Sequence, residues 1–337
     1  MTRPGTVAKA GEAKLLSLVR RWCGAGSRRP GGGIGDDCAT VKTGARTLMT
    51  TDAFVEGVHF RREWTPAWHS GWKALAASIS DIAAAGGVPT AAVVSLELPP
   101  SLTVAWLREF YIGLMACARR FRIAVVGGNL SRSSHVACHI ALLGDAPRRR
   151  VGRAGARPGD IVAVTGRLGG SLAGLLCLRR GIRGRAAEVA RWRHMVPVPR
   201  VEAGRSLALV ASAMIDVSDG LVHEARLIAN ESGVAVALVP GGVPVHPAAA
   251  ALAVALRRDA VELALGSGEE YELLVCVPRR RWGAAVRAAR RGGVPLTAVG
   301  EVRRGTGVTL AGWSRNPRGF DHFAGCWRAT DGPAGSR

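Results

Sequence analysis

Apolar positions recur every three or four residues through 66–86, where Trp72, Leu75, Ala76, Ile79, Ile82 and Ala83 mark one face of a helix. Gly86-Gly87-Val88-Pro89 stops it. The β-branched run Ala91-Ala92-Val93-Val94-Ser95-Leu96 predicts a strand. A second amphipathic helix is expected over 103–121, then a strand over 123–126, a Gly127-Gly128-Asn129 turn and a strand over 135–143. Upstream, a helix over 10–22 precedes a strand over 46–52 with Asp52 at its tip. Beyond Pro147-Arg148-Arg149-Arg150 the pattern resumes with a strand over 160–165 and a helix opened by Gly169-Gly170-Ser171. A basic helix carrying Trp192, a helix over 201–211, a strand over 213–216 and a helix opened by Ser218-Asp219-Gly220 follow. A strand over 272–277, an amphipathic helix over 279–291 and strands near 296–302 and 307–310 close the series. No close internal repeat is visible.

This order predicts an α+β N-terminal domain followed by a second half that also mixes strands and helices, which the resemblance described below implies is an α/β domain, and 337 residues suit two cores better than one. The expected division is an N-terminal helix and loop over 1–29, domains over 30–148 and 149–325, and a tail over 326–337. Seven widely spaced cysteines with no Cys-x-x-Cys pair point to neither a disulfide framework nor a zinc site. With no apolar leader and no apolar run of about 18 residues, the expectation is cytoplasmic, without a membrane.

Charge sharpens this picture. The chain carries 46 Lys+Arg against 25 Asp+Glu, a net charge of +21, and only Lys9, Lys14, Lys42 and Lys73 are lysines. The arginines are dispersed, so runs such as Arg279-Arg280-Arg281 read first as solvated helix ends, and nucleic acid is the weaker partner class. Against this basic background, six of eleven aspartates stand in four apolar or Gly-rich stretches: Asp36 and Asp37, Asp52 after Thr50 and Thr51, Asp81, and Asp216 with Asp219 around Ser218. A carboxylate in such surroundings needs a positive partner, either a distant arginine or a bound cation. Singly, each has an ordinary reading: an Asx turn for Asp37, a strand end for Asp52, a buried salt bridge for Asp81. Together with their hydroxyl companions they favour hard oxygen-ligated ions and phosphate transfer. No Walker sequence and no protein-kinase loop set occurs. His59 alone is more often a structural histidine.

Several runs carry a resemblance. Residues 33–39 (Gly-Ile-Gly-Asp-Asp-Cys-Ala), 50–60, 73–86, 125–132, 153–160, 215–221 and 319–323 (Gly-Phe-Asp-His-Phe) resemble, in order, the thiamine-monophosphate kinase family of the aminoimidazole ribonucleotide synthetase-like superfamily. The resemblance implies that superfamily's two-domain fold, a mixed-sheet N-terminal domain that dimerises, and an ATP-dependent kinase making thiamine diphosphate, the last step of its biosynthesis. It implies several Mg²⁺ ions on Asp37, Thr50, Thr51, Asp52, Asp81, Asn129, Asp216 and Asp219. It implies nucleotide contacts at Gly128, Asn129, Arg153 and Ser218, and thiamine phosphate contacts at His59, Glu269 and Phe320. No covalent or general-base residue is expected. The chain departs from the family pattern at Asn129, where many relatives have Asp, and at Ser267 and Glu270, which stand for Gly and Asp. Rival readings are another ATP-dependent enzyme of the superfamily, whose reactive cysteine context is missing here, or a basic nucleic-acid-binding protein.

Overall fold

The computed structural model of the chain describes residues 5–23, 41–149 and 151–313. The N-terminal part contains α1 (Val7–Ala10), α2 (Glu12–Cys23), β1 (Thr47–Val55), α3 (Ala67–Ala84), β2 (Val88–Leu98), α4 (Val104–Phe121), β3 (Ala124–Arg132) and β4 (Ala137–Asp145). Its strands form one sheet of order β1-β4-β2-β3, antiparallel except for the β2–β3 pair. Helices α3 and α4 lie on one face, where Leu75 and Ile79 meet Leu107, Phe110 and Leu114 over the sheet's Leu96 and Leu142. Their backbones approach so closely that a Cβ on Gly113 would stand 1.8 Å from the Trp68 carbonyl oxygen. Only glycine permits that crossing.

The C-terminal part contains β5 (Ile161–Thr165), α5 (Gly170–Arg180), α6 (Arg185–Met195), α7 (Val201–Leu207), β6 (Ala213–Asp216), α8 (Leu221–Ser232) and β7 (Ala235–Leu238). It continues with α9 (Pro247–Leu256), α10 (Ala260–Gly266), β8 (Leu273–Val277), α11 (Trp282–Arg291), β9 (Leu296–Arg303) and β10 (Gly307–Leu310). The second sheet runs β10-β7-β9-β5-β8-β6, antiparallel except for β10–β7. Both its faces are covered, with Leu274 and Cys276 in one core and Leu273, Val275 and Val277 in another. That explains why 273–277 is apolar throughout rather than alternating.

Helix α3 joins the two parts. It is buried nearly all round, as a helix with apolar residues on every side must be. Trp72 Nε1 donates to the Pro197 oxygen at 2.8 Å, and Ser80 Oγ donates to Asp216 Oδ2 at 2.7 Å. Among the described residues no helix is long and apolar enough to cross a membrane.

Four sequence expectations change. The Gly127-Gly128-Asn129 segment is not a turn but the middle of β3, where Gly128 is needed because a Cβ would stand 2.0 Å from the Val94 oxygen. Strand β1 runs on to Val55, so Asp52 is an interior strand residue. Pro89 lies within β2 at the register shift between Pro89 and Ala91, where a missing N–H is tolerated. The helix expected over 201–211 stops at Leu207. Strand β7 and helices α9 and α10 carry no clear period and were not foreseen, since Ala-rich runs such as 247–256 lack contrast between faces.

Candidate active site

Four elements deliver the acids. Asp52 comes from β1, Asp81 from the last turn of α3, Asp216 from the end of β6, and Asp219 from the turn into α8. Thr50 Oγ1 donates to Asp81 Oδ2 at 2.5 Å. Asp52 Oδ2 is buried with no hydrogen-bond partner, as is Ser78 Oγ, although the Ser78 hydroxyl is near enough to moderate the carboxyl's shift. Burial raises Asp52 above the usual carboxylate range. Burial, then the charge of Asp52, raises Asp81 to about 6, opposed by Thr50 and Arg153. Burial, then Asp81, raises Asp216 to about 7, and Ser80 opposes it. Among the described residues no ion pair neutralises Asp52, Asp81 or Asp216, although the charge of Arg153 reaches Asp81; a bound cation would relieve the repulsion these three share. Among the described residues no three His, Cys, Asp or Glu side chains are close enough to hold an ion by themselves.

Behind this group, Glu224 is buried in the first turn of α8 and accepts from Asp219 N at 2.9 Å. Burial raises it to about 8. It anchors the Ser218–Asp219 turn.

Two cavities meet at the acids. One, about 480 Å³, has aromatic walls from Phe54, Phe60, Trp64 and Tyr271, with His59 and Glu269 as polar lining. The other, about 680 Å³, is lined by Thr47 to Thr50, Arg153 and Met214. Asp81 and Asp216 line both. In the aromatic cavity, Phe54 stacks on Phe60 at 4.8 Å. His59 Nδ1 accepts from Val55 N at 3.0 Å, so its proton sits on Nε2.

The loop after α10 is pinned by cations. Glu269 and Tyr271 have positive φ (55° and 51°) and their amides donate to the Ser218 and Val217 oxygens at 2.6 and 2.9 Å. Glu269 Oε1 pairs with Lys73 Nζ at 2.8 Å. Glu270 is fully buried against Arg193 Nε at 3.3 Å, and Glu272 meets both Arg193 and Arg200. Ser267 sits at φ −72°, so no glycine geometry is lost there. Its hydroxyl donates to Glu270 Oε1 at 2.6 Å and accepts from Leu172 N at 3.0 Å. The two departures from the family pattern are thus one compensated pair, and Glu270 faces the core rather than the cavity.

Of the residues expected from the sequence, Asp52, Asp81, Asp216, Asp219, Ser218, His59 and Glu269 line the aromatic cavity, and Thr50 and Arg153 line its neighbour. Thr51 lies on the opposite sheet face, in register with Ala141 and Val93. Gly128 and Asn129 stand on β3, the sheet edge away from β1 among the described residues. Gly128 shares the row of Asp52, Ile140 and Val94, about 14 Å from Asp52 across three inter-strand spacings. Asn129 shares the row of Ala53, His139 and Ser95 on the outer face. Within one chain, therefore, neither joins the acids. Asp37 and Phe320 lie outside the described residues. Sequence reasoning missed Ser80, Glu224, Lys73 and His194; the one available signal was Lys73, a rare lysine inside an apolar helix.

The chain matches the AIR synthase related protein N-terminal domain over residues 35–145 and the corresponding C-terminal domain over 157–312. It is 37% identical over 293 residues to the thiamine-monophosphate kinase of Aquifex aeolicus, covering 86% of this chain and 92% of that one. It is 34% identical over 283 residues to that of Bacillus subtilis, covering 81% and 86%. The solved structure of AaThiL complexed with AMPPCP and TMP superposes with a TM-score of 0.77 at 35% identity, over 93% of this chain and 97% of that one.

Proposed function

The chain belongs to the thiamine-monophosphate kinase family, built from the two AIR synthase related domains, and from that membership we propose how its site works. The chain is a kinase that passes the γ-phosphate of ATP to thiamine monophosphate. One observation carries the reading of the site: an aromatic-walled cavity and a second cavity containing Arg153 share Asp81 and Asp216. The heterocycle fits the first and the nucleotide the second, so their phosphates meet over the acids.

The acceptor is a phosphate oxygen, already ionised near neutral pH, so no residue has to remove a proton. The task left to the protein is aligning two anions that repel. Bound Mg²⁺ supplies the positive charge that offsets this repulsion and the charge developing on the transferred group. The orphaned Asp52 oxygen and the raised Asp81 and Asp216 carboxyls fit such ions, with Asp219 beside them. Arg153, exposed at the second cavity, favours anion entry there. Phe54, Phe60 and Trp64 form the platform for the heterocycle, and His59 Nε2–H is a donor beside it.

Transfer is direct. Incubation with γ-labelled ATP and thiamine monophosphate should place all label on thiamine diphosphate; label retained by the denatured protein would sink this mechanism. Asp52→Asn and Asp219→Asn should both lose turnover with the fold kept, and turnover equal to wild type in either would remove that residue from the metal set.

We also read the chain as a homodimer. The outer face of the first sheet exposes Met49 (78%) and Val93 (38%). Gly128 and Asn129 reach a site of this kind only from a second copy. Sedimentation of wild type against Met49→Asp tests this, a monomeric wild type being the contrary result. The matched ranges support a division into residues 30–148 and 149–325. The buried, unpaired thiols Cys23, Cys117, Cys138, Cys177 and Cys276 support a reducing, cytoplasmic setting.

A further inference from the structure

Lys73 is the one basic Lys or Arg side chain of α3 and is 1% exposed, two turns before Asp81 on the same helix. Its ammonium makes two contacts: Glu269 Oε1 at 2.8 Å and His194 Nε2 at 3.2 Å. An ammonium only donates, so His194 accepts through Nε2 and carries its proton on Nδ1. That Nδ1 lies 3.1 Å from Ser171 Oγ and 3.6 Å from Glu269 Oε2. Burial, then Lys73, pushes His194 down to about 3, so the ring is neutral. Burial also works against the charge on Lys73, and Glu269 supports it.

Glu269 is the member of this network that faces the ligand space: it is 25% exposed and lines the aromatic cavity together with His194 and Ser171. Its backbone is held at φ 55°, an arrangement that costs a β-carbon residue energy and persists only where the surroundings impose it. Oε1 is committed to Lys73, whereas Oε2 makes no hydrogen bond among the described residues. A carboxylate that lines an aromatic-walled cavity with one oxygen clamped and the other outside hydrogen-bond distance of its neighbour His194 is complementary to a cationic heteroaromatic ring or its amino group.

Resting on the proposed thiamine phosphate site, we infer that Lys73, braced by His194, is a positioning residue: it clamps Glu269 so that its remaining oxygen meets the cationic heterocycle of the substrate. Lys73 never touches substrate. Its own charge opposes a nearby cation, so its contribution is geometric rather than attractive, and this separates the inference from a simple field effect. A field effect alone makes Lys73→Met bind the cation more tightly.

The test is a double-mutant cycle on the full chain with Lys73→Met, Glu269→Gln and the pair together. Affinity for thiamine phosphate is read without ATP by calorimetry, and KM is measured separately for each substrate. Lys73→Met should raise Kd and KM for thiamine phosphate about tenfold or more, as loss of a charged hydrogen bond does, with KM for ATP unchanged. In the Glu269→Gln background, removing Lys73 should have no further effect. The double variant leaves no unpaired buried charge, so it keeps the comparison available if Lys73→Met folds poorly. Additive losses, a change in KM for ATP of the same size, or equal or tighter binding by Lys73→Met overturns the inference while wild-type turnover stands. A folded wild type that neither binds nor phosphorylates thiamine phosphate overturns the functional reading and this inference with it.

Discussion

Replacing Asp216 with asparagine should stabilise the metal-free protein and abolish its turnover. Asp216 is 5% exposed, and burial followed by the charge of Asp81 raises its carboxyl to about 7. In the unfolded chain the same group titrates near about 3.9. The folded state therefore holds the proton more tightly, and the cost of ionising Asp216 grows from nothing near pH 4 to a plateau above pH 7. About three pKa units at about 1.4 kcal/mol each give an upper figure of about 4 kcal/mol. Because the repulsion is shared with Asp81 and Asp52, the gain expected from Asp216→Asn at pH 8 is on the order of 2–4 kcal/mol. Asparagine keeps an oxygen for the 2.7 Å bond from Ser80 Oγ, so that contact is not lost. For a chain of 337 residues the gain corresponds to a rise in Tm of roughly 3–6 °C. The assay is thermal unfolding with chelator at pH 4.5, 6 and 8, repeated with Mg²⁺ and ATP. The difference between variant and wild type should be smallest at pH 4.5, about 1 kcal/mol or less, and largest at pH 8. Mg²⁺ with ATP should raise the wild type more than the variant. A variant less stable than wild type at pH 8 would mean that a protein cation already neutralises Asp216, and the metal argument would fail with it.

Thr50→Val removes the hydrogen bond that holds Asp81 down, so the acidic limb of the pH–rate profile should move to higher pH; an unmoved or lower limb contradicts the assignment. Ser267→Gly restores the family's residue yet breaks the bonds to Glu270 and Leu172 N. It should cost about 1–3 kcal/mol in denaturant unfolding, with KM for thiamine phosphate within about twofold. Gly113→Ala puts a Cβ against the Trp68 oxygen at the α3–α4 crossing and should destabilise by about 1–3 kcal/mol or more; a neutral result would show that the helices separate freely.

Local pattern was enough to place most helices and strands, because period and turn chemistry act over a few residues. The same holds for the acids: Asp52, Asp81, Asp216 and Asp219 stand out as charges that apolar neighbours cannot satisfy, and the structure gathers them around two adjoining cavities. Gly127-Gly128-Asn129 misled for the same reason, since a glycine pair reads locally as a turn. Only the pairing of β3 with β2, and the Val94 oxygen against Gly128, makes it a strand.

Loop 267–272 shows where local reading stops. Glu269 faces the cavity, as the resemblance implied, but nothing local shows that Glu270 and Glu272 pair with Arg193 and Arg200. Ser267 and Glu270 looked like two separate departures, and their mutual hydrogen bond makes them one. Sequence alone determined most of the element order, the family and the acids' identity, because each is written in residue types and short spacings. Tertiary structure alone decided which charge meets which: Lys73 lies 196 positions before Glu269 yet 2.8 Å from it, and burial, which sets the price of every unpaired charge, exists only once the chain has folded.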